Sequence, residues 1–368
     1  MSDGATSCGA TSSGATMRAA VLRGREDVVI EDVPVPHAGP GEVVLRVRAA
    51  LTCGTDAKVF RRGYHAKMLR PPCLFGHEYA GVVDEVGAGV SRFRLGDEVV
   101  GANSAPCGVC EFCRRGRESL CDDLLFVNGA FAERLLLPAR VVERNLHARP
   151  PALDFACAAA IEPVACVLKA VEWVAPVARE TALLLGSGSI ALFFASELQA
   201  RGLDVVLYAR DPGVERLARK MGASDFVAAA TLDTARETLL ARSHGGRGFD
   251  LVVEAAGAAA TTEAAPLLAR KGGRVLYFGG CASDVRVTVD PARLHYDEIQ
   301  ILSSFHHTPR HVRAAIDALA LGRIEVAPVL EAPVGLDGLA DALRRMGTRE
   351  LRGKVPVVPA GVAGGGAS

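Results

Sequence analysis

Between about Ala158 and Asp290, short apolar runs alternate with longer stretches of helical period, and this alternation narrows the fold more than any other feature of the chain. Ala182–Leu185, Val205–Tyr208, Leu251–Glu254 and Val275–Phe278 each run into turn-forming residues. Wholly apolar strands joined by helix-length connections predict a doubly wound parallel sheet, an α/β fold with helices on both faces. From Met17 to about Pro151 the pattern differs. Runs such as Glu42–Val47, Ala80–Val86 and Asp97–Val100 are separated by Gly, Pro and Asp turns, which predicts a mostly β unit. At 368 residues the chain exceeds one hydrophobic core, so two domains are expected. After about Gln300 come one more strand, a helix around His311–Ala320 and a Pro-rich stretch, expected to return to the first unit. The expected division is 17–157 with 300–359 as the β-rich domain and 158–299 as the parallel-sheet domain, with the site in the cleft between them.

Lys plus Arg and Asp plus Glu both total 42, so the net charge of zero gives no attraction to nucleic acid or to an anionic membrane. A small molecule is the expected partner. Residues 1–16, built of Gly-Ala-Thr repeats and serines, and residues 360–368 have too little apolar surface to offset ordering entropy and are expected to be loose tails. No signal peptide or membrane-length apolar run is present, so a cytoplasmic location is the default expectation.

Ala182–Leu185 leads into Gly186-Ser187-Gly188-Ser189-Ile190-Ala191 and a helix through about Ala200, the strand–turn–helix context that a dinucleotide fingerprint requires. Gly186 permits the tight turn and Gly188 a close approach to pyrophosphate. The backbone from Ser187 to Ile190, opening the helix, offers free N–H groups to the anion. The second strand ends in Tyr208-Ala209-Arg210. Ala209 cannot accept hydrogen bonds from a ribose 2'-hydroxyl and Arg210 suits a 2'-phosphate, so NADP is expected over NAD. The alternative is Asp211, its carboxylate turned to the ribose. Gly279, in Phe278-Gly279-Gly280-Cys281, follows a strand where backbone could meet the nicotinamide carboxamide.

Cys107-x2-Cys110-x2-Cys113-x7-Cys121 suits a closed, tetrahedral zinc. Four thiolates leave no position for substrate, so this metal is expected to be structural. An iron–sulfur run would place the fourth cysteine three residues on, before Pro; here it follows seven residues later, before Asp122. Disulfides would require an oxidising compartment that nothing in the sequence indicates. Cys53-Gly54-Thr55-Asp56, Gly76-His77-Glu78 and Ile161-Glu162-Pro163 offer thiolate, imidazole and carboxylate to a second metal. Each alone reads as a core cysteine, a satisfied turn or a helix cap.

As a set, these motifs resemble the zinc-dependent medium-chain dehydrogenases, in their sorbitol, iditol and threonine dehydrogenase branch, from about Met17 to Pro359. The resemblance implies a GroES-like β-rich catalytic domain interrupted by a Rossmann domain, and two zinc ions per chain. It implies that Cys53 and His77 bind the catalytic zinc with either Glu78 or Glu162, and that Asp56 orients a ligand. The activity implied is hydride transfer between a secondary alcohol, its ketone and a nicotinamide cofactor, on a polyol, sugar or amino alcohol. Threonine is a neighbouring possibility; a silent NADP(H)-binding protein and a zinc-free reductase are the other readings weighed. Thr55 is placed to take the substrate proton. Lys58 stands where relatives often carry a relay histidine, and reads as a relay, a substrate or phosphate ligand, or a solvated surface lysine. Lys58, Arg61, Arg62, Lys67 and Arg70 read first as a solvated face.

Adjacent histidines point apart on most backbones, so His306 and His307 are not expected to share a metal; one of them lining the cleft is the functional alternative. Cys73, Cys157 and Cys166 read as small buried residues. A homotetramer or homodimer is expected, with the strand-like Val285–Val289 pairing across a twofold axis.

Overall fold

The computed structural model describes residues 14–65 and 68–359. The expectations for the two tails therefore fall outside the described residues, except that Thr16 already opens the first strand.

Six parallel strands form the sheet expected from the alternation, in the order Asp225–Ala228, Asp204–Ala209, Thr181–Leu185, Phe249–Glu254, Ala269–Tyr277, Gln300–Ser303. The first strand in sequence lies at the centre and the order reverses beside it, which opens a crevice at the carboxyl ends of the strands. Alternate side chains separate onto two faces. Ala182, Leu184, Val205, Leu207 and Val253 pack into one apolar cluster; Leu183, Leu185, Val206, Tyr208 and Val252 pack into another. Both faces are covered, so every position of the central strand is apolar or sealed.

The β-rich unit is built on strand Val43–Leu51, which pairs antiparallel with Glu78–Val86, Arg134–Leu137 and Pro356–Val357. Glu98–Gly101 and Leu146–Ala148 extend this sheet, and Thr16–Gly24 with Asp27–Pro34 forms a hairpin beside it.

One expectation requires correction. Gln300–Ser303 does not return to the β-rich unit; it pairs with Arg274–Tyr277 as the sixth parallel strand. The following helix, Pro309–Ala320, buries Val312, Ala315 and Leu319 in the cluster that also holds Val164 and Val171 of helix Ile161–Val174. The chain rejoins the first unit only afterwards, through helix Leu339–Thr348 and strand Pro356–Val357. Within the single subunit, Val285–Val289 is irregular chain. Its alternation of Val with Arg and Thr has no neighbouring strand in the sheet to pair with.

Candidate active site and metal centres

Strand Val43–Leu51 delivers Cys53 to the N-terminus of helix Gly54–Arg62, where its backbone is still extended. Asp56 lies in the first turn of this helix, 1% exposed. Its Oδ2 accepts from the Cys53 backbone N–H at 2.9 Å and its Oδ1 lies 3.1 Å from His77 Nδ1. One carboxylate thus fixes both the entry of the cysteine and the tautomer of the histidine, the arrangement that orients metal-binding imidazoles. The chain reaches His77 through Gly76, held at φ 91°, where a Cβ would stand 2.6 Å from the Phe131 ring. Only glycine fits there.

Burial pushes the Cys53 thiol up, yet the Lys354 charge and the hydrogen bond and charge of His77 outweigh it and hold the thiol at about 7. For His77, burial works against protonation, but the charge and hydrogen bond of Asp56 raise it well above the ordinary imidazole range. Donor atoms of Cys53, His77 and Glu78 lie within 4.8 Å of one another. One sulfur, one nitrogen and one oxygen fit a catalytic zinc and leave a position for substrate.

Glu78 opens strand Glu78–Val86, is fully buried, and carries a partner absent from the sequence reading. Lys354 Nζ, 2% exposed, donates to both its carboxylate oxygens at 2.7 and 2.6 Å, and to the Thr52 carbonyl at 3.1 Å. Burial opposes the charge of Lys354, but the Glu78 carboxylate outweighs it and holds the ammonium above its ordinary range. No local signal marks this lysine, because its partner is 276 residues away.

Glu162 sits in the first turn of helix Ile161–Val174, where Pro163 is tolerated because first-turn N–H groups have no intrahelical partner. It groups with a different pair: His306 Nδ1 lies 3.7 Å and His307 Nε2 3.9 Å from its Oε1. The expectation that these histidines diverge is overturned by the backbone. His306 adopts φ 58°, and this left-handed turn brings the two rings to 3.9 Å between centroids. Cys166 is buried as expected, but its Sγ also donates to Glu162 Oε1 at 3.4 Å; Cys73 and Cys157 are only half-buried.

In the cysteine lobe, Sγ–Sγ separations are 3.9 Å for Cys107 with Cys113 and for Cys110 with Cys121. A tetrahedron of sulfurs on zinc has edges of roughly 3.8 Å. The N–H groups of Val109 and Cys110 point at Cys107 Sγ and bring its thiol down to about 6, whereas burial pushes Cys113 up to about 12. No disulfide occurs among the described cysteines.

At the crevice, Gly186 has φ 131° and helix Ser189–Ala200 starts immediately after Gly188. A Cβ on Gly188 would meet no protein atom within 4 Å, so this face of the turn is open to a ligand, while one on Gly186 would press on Ala256 N at 3.2 Å. Ser187 and Ile190 are half-buried beside it, and Ala209 is buried at the end of the second strand, with Arg210 exposed after it. Asp211 is committed elsewhere: its Oδ1 caps Gly213 N at 2.8 Å and its carboxylate pairs with Arg352. Arg349 approaches from the C-terminal helix, and its pKa is lowered by burial and then by the charges of Arg210 and Arg61.

Lys58 is not a solvated lysine. Its Nζ donates to the Gly280 carbonyl at 3.0 Å, across the cleft from helix Gly54–Arg62 to the turn after strand Ala269–Tyr277, and burial lowers its pKa, aided by Arg62. Thr55 is half-buried one residue before Asp56. Gly279 packs against Gly257 too closely for any side chain. Beside it lies Glu254, missed by sequence reading, fully buried with Oε1 accepting from Ala256 N, Gly257 N and Thr261 Oγ1 at 2.7–3.0 Å.

Residues 39–145 match the alcohol dehydrogenase GroES-like domain family, and residues 186–320 match the zinc-binding dehydrogenase family. The D-altritol 5-dehydrogenase of Agrobacterium fabrum strain C58 is 34% identical over 79% of this chain and 84% of its own length. The chain belongs to the zinc-binding dehydrogenases. An L-threonine 3-dehydrogenase of Rhizobium johnstonii is 28% identical over 86% of this dehydrogenase and 91% of its own length. Among solved structures, a zinc-binding dehydrogenase of Sinorhizobium meliloti 1021 bound to NADP superposes with a TM-score of 0.84 at 29% identity, covering 94% of this chain and all of that one. The dehydrogenase has no helix among its described residues long and apolar enough to cross a membrane.

Proposed function

We propose that this dehydrogenase interconverts a secondary alcohol of a polyol or sugar and the corresponding ketone, with NADP as hydride carrier and two zinc ions per chain. The observation that carries the reading is Cys53, His77 and Glu78 converging beside the crevice, with Asp56 fixing two of them at once. The catalytic zinc, held by these three, supplies a Lewis acid that acidifies the substrate hydroxyl, and the nicotinamide supplies the hydride acceptor.

The remaining steps belong to the chain's own residues. Thr55 takes the hydroxyl proton at its Oγ1. Lys58, with its pKa lowered by burial, receives that proton beside Gly280 and passes it to solvent. The backbone at Gly279 aligns the carboxamide, and the turn from Gly186 through Ser187, Gly188 and Ser189 to Ile190 cradles the pyrophosphate. Arg210 next to Ala209, together with Arg349 and Arg61, receives the 2'-phosphate; the mutual charge of Arg210 and Arg61 on Arg349 favours an anion there. Cys107, Cys110, Cys113 and Cys121 hold the second zinc and brace their lobe. The enzyme is read as a cytoplasmic homodimer or homotetramer, with 17–157 and the segment after about residue 320 as its catalytic domain. Threonine, the substrate named for the R. johnstonii relative, is the second reading.

The test is a panel of polyols, sugars and 3-hydroxy amino acids with both coenzymes. Turnover with NADP that disappears in Cys53→Ala, while the variant keeps its lobe zinc, is the expected result. A wild type that prefers NAD tenfold or more would overturn the coenzyme assignment. No turnover of any alcohol by fully metallated enzyme would overturn the reaction.

A further inference from the structure

Glu254 ends strand Phe249–Glu254, is fully buried, and has no task in the proposed reaction. It pairs in register with Leu185 on one side and Tyr277 on the other, so the turns that follow three neighbouring strands meet around it. Its backbone carbonyl accepts from Phe278 N at 3.0 Å and Gly279 N at 2.9 Å. Its Oε1 accepts from Ala256 N, Gly257 N and Thr261 Oγ1 at 3.0, 2.8 and 2.7 Å. A glutamine oxygen would serve these donors equally well, so they account for an acceptor at this place but not for a charge. Oε2 is what remains. It is buried without a hydrogen-bond partner, and a Cβ on Gly279 would stand 2.7 Å from it.

A buried carboxylate is costly unless a cation meets it. Among the described residues Glu254 forms no ion pair. Lys58 does not take that place: its Nζ is bonded to the Gly280 carbonyl at 3.0 Å, and the Glu254 charge reaches it only through space. We infer that Glu254 is a positioning residue of the nicotinamide subsite, its carboxylate the counter-charge that favours the oxidised, cationic ring over the reduced, neutral one. The inference rests on the nicotinamide-coenzyme reading, with the carboxamide at Gly279, and is independent of the substrate and of the choice between NADP and NAD.

The packing of the turns makes the charge effective. A Cβ on Gly279 would stand 2.3 Å from Gly257 N, and one on Gly257 would stand 2.7 Å from the Gly280 carbonyl oxygen. The two turns therefore meet backbone to backbone, and neither glycine carries a side chain that would hold a ring away from the carboxylate. Water is excluded from Oε2, so the charge is weakly screened and acts over several ångströms. The same hydrogen bonds that seal Glu254 also fix the turns, which ties the position of the ring to the position of the charge.

Glu254→Gln keeps an acceptor for Ala256, Gly257 and Thr261 and removes the charge. Dissociation constants of the oxidised and reduced coenzyme are measured by calorimetry on the fully metallated enzyme without alcohol, with NADP or, if the enzyme prefers it, NAD. The variant should weaken the oxidised form about tenfold or more relative to the reduced form, which raises the potential of the bound two-electron couple by about 30 mV. Glu254→Asp, which retains the charge, should keep the wild-type ratio even where it weakens both forms. Wild type provides a check that needs no folded variant: with 2',5'-ADP bound, cationic 1-methylnicotinamide should bind more tightly than neutral nicotinamide. Equal loss of both coenzyme forms in Glu254→Gln, or a cation bound no better than the neutral ring, overturns the inference and leaves Glu254 as a support for its turns. A wild type that binds neither nicotinamide coenzyme overturns the dehydrogenase reading, and the inference falls with it.

Discussion

Replacing Lys354 by Met tests whether the buried ion pair with Glu78 holds the two ends of the β-rich unit together. The lysine is 2% and the glutamate 0% exposed at the side chain, so neither can recover hydration when the other is lost. Lys354→Met removes the ammonium from both carboxylate oxygens and from the Thr52 carbonyl, leaving an uncompensated buried carboxylate. Breaking a pair buried to this degree costs about 3–5 kcal/mol, several times the worth of an exposed pair. The measurement is urea denaturation followed by circular dichroism in EDTA-treated protein, where no bound cation can take the lysine's place. Wild type, Lys354→Met, Glu78→Gln and the double variant form the cycle. The single lysine variant should lose at least about 3 kcal/mol, and the double variant should recover part of that loss because it buries no unpaired charge. A Lys354→Met midpoint within about 1 kcal/mol of wild type, or a double variant no better than the single, would refute the reasoning.

Two further outcomes are expected. Arg349→Ala should lower kcat/KM with NADP by about tenfold or more, the equivalent of one charge-assisted hydrogen bond, and leave NAD nearly untouched; equal loss with both coenzymes would show that the residue does not meet the 2'-phosphate. His147 has its pKa brought down to about 4 by burial and then by Arg92 and Arg313, so the folded state keeps it neutral. The unfolded chain binds that proton from about pH 6.5 downward, so stability should fall as pH drops from there to about 4. His147→Gln should flatten this part of the stability profile, and a profile parallel to wild type would refute the assignment.

Much of the frame could be read from residue order, because it depends on local pattern. The apolar run Ala182–Leu185 followed by Gly186 specifies a buried strand and a tight turn without reference to anything distant. The same holds for the cysteine lobe, whose donors span only residues 107–121. Cys53 and His77 were legible through their motifs. What fixes them was only partly so, since Asp56 lies in the same short motif but Lys354 does not. The missed features are long-range or conformational. Lys354 meets Glu78 only because strand Pro356–Val357 pairs with Ala50 and Leu51. The pairing of His306 with His307 depends on a positive φ that nothing in Ser-Phe-His-His requires. The sequence of Gln300–Ser303 does not specify its sheet, because a short apolar strand carries no label for the sheet it joins.

The pairing of Pro356–Val357 with the strand that leads to Cys53 also bears on the order of events during synthesis. Thr52 and Lys354 are 302 residues apart, and all six strands of the parallel sheet are made between them. Domains form as units while the chain emerges, so the nucleotide-binding crevice closes while Glu78 still awaits its counter-charge. The proposed metal centre therefore depends on the last strand of the chain as well as on the motifs that define it.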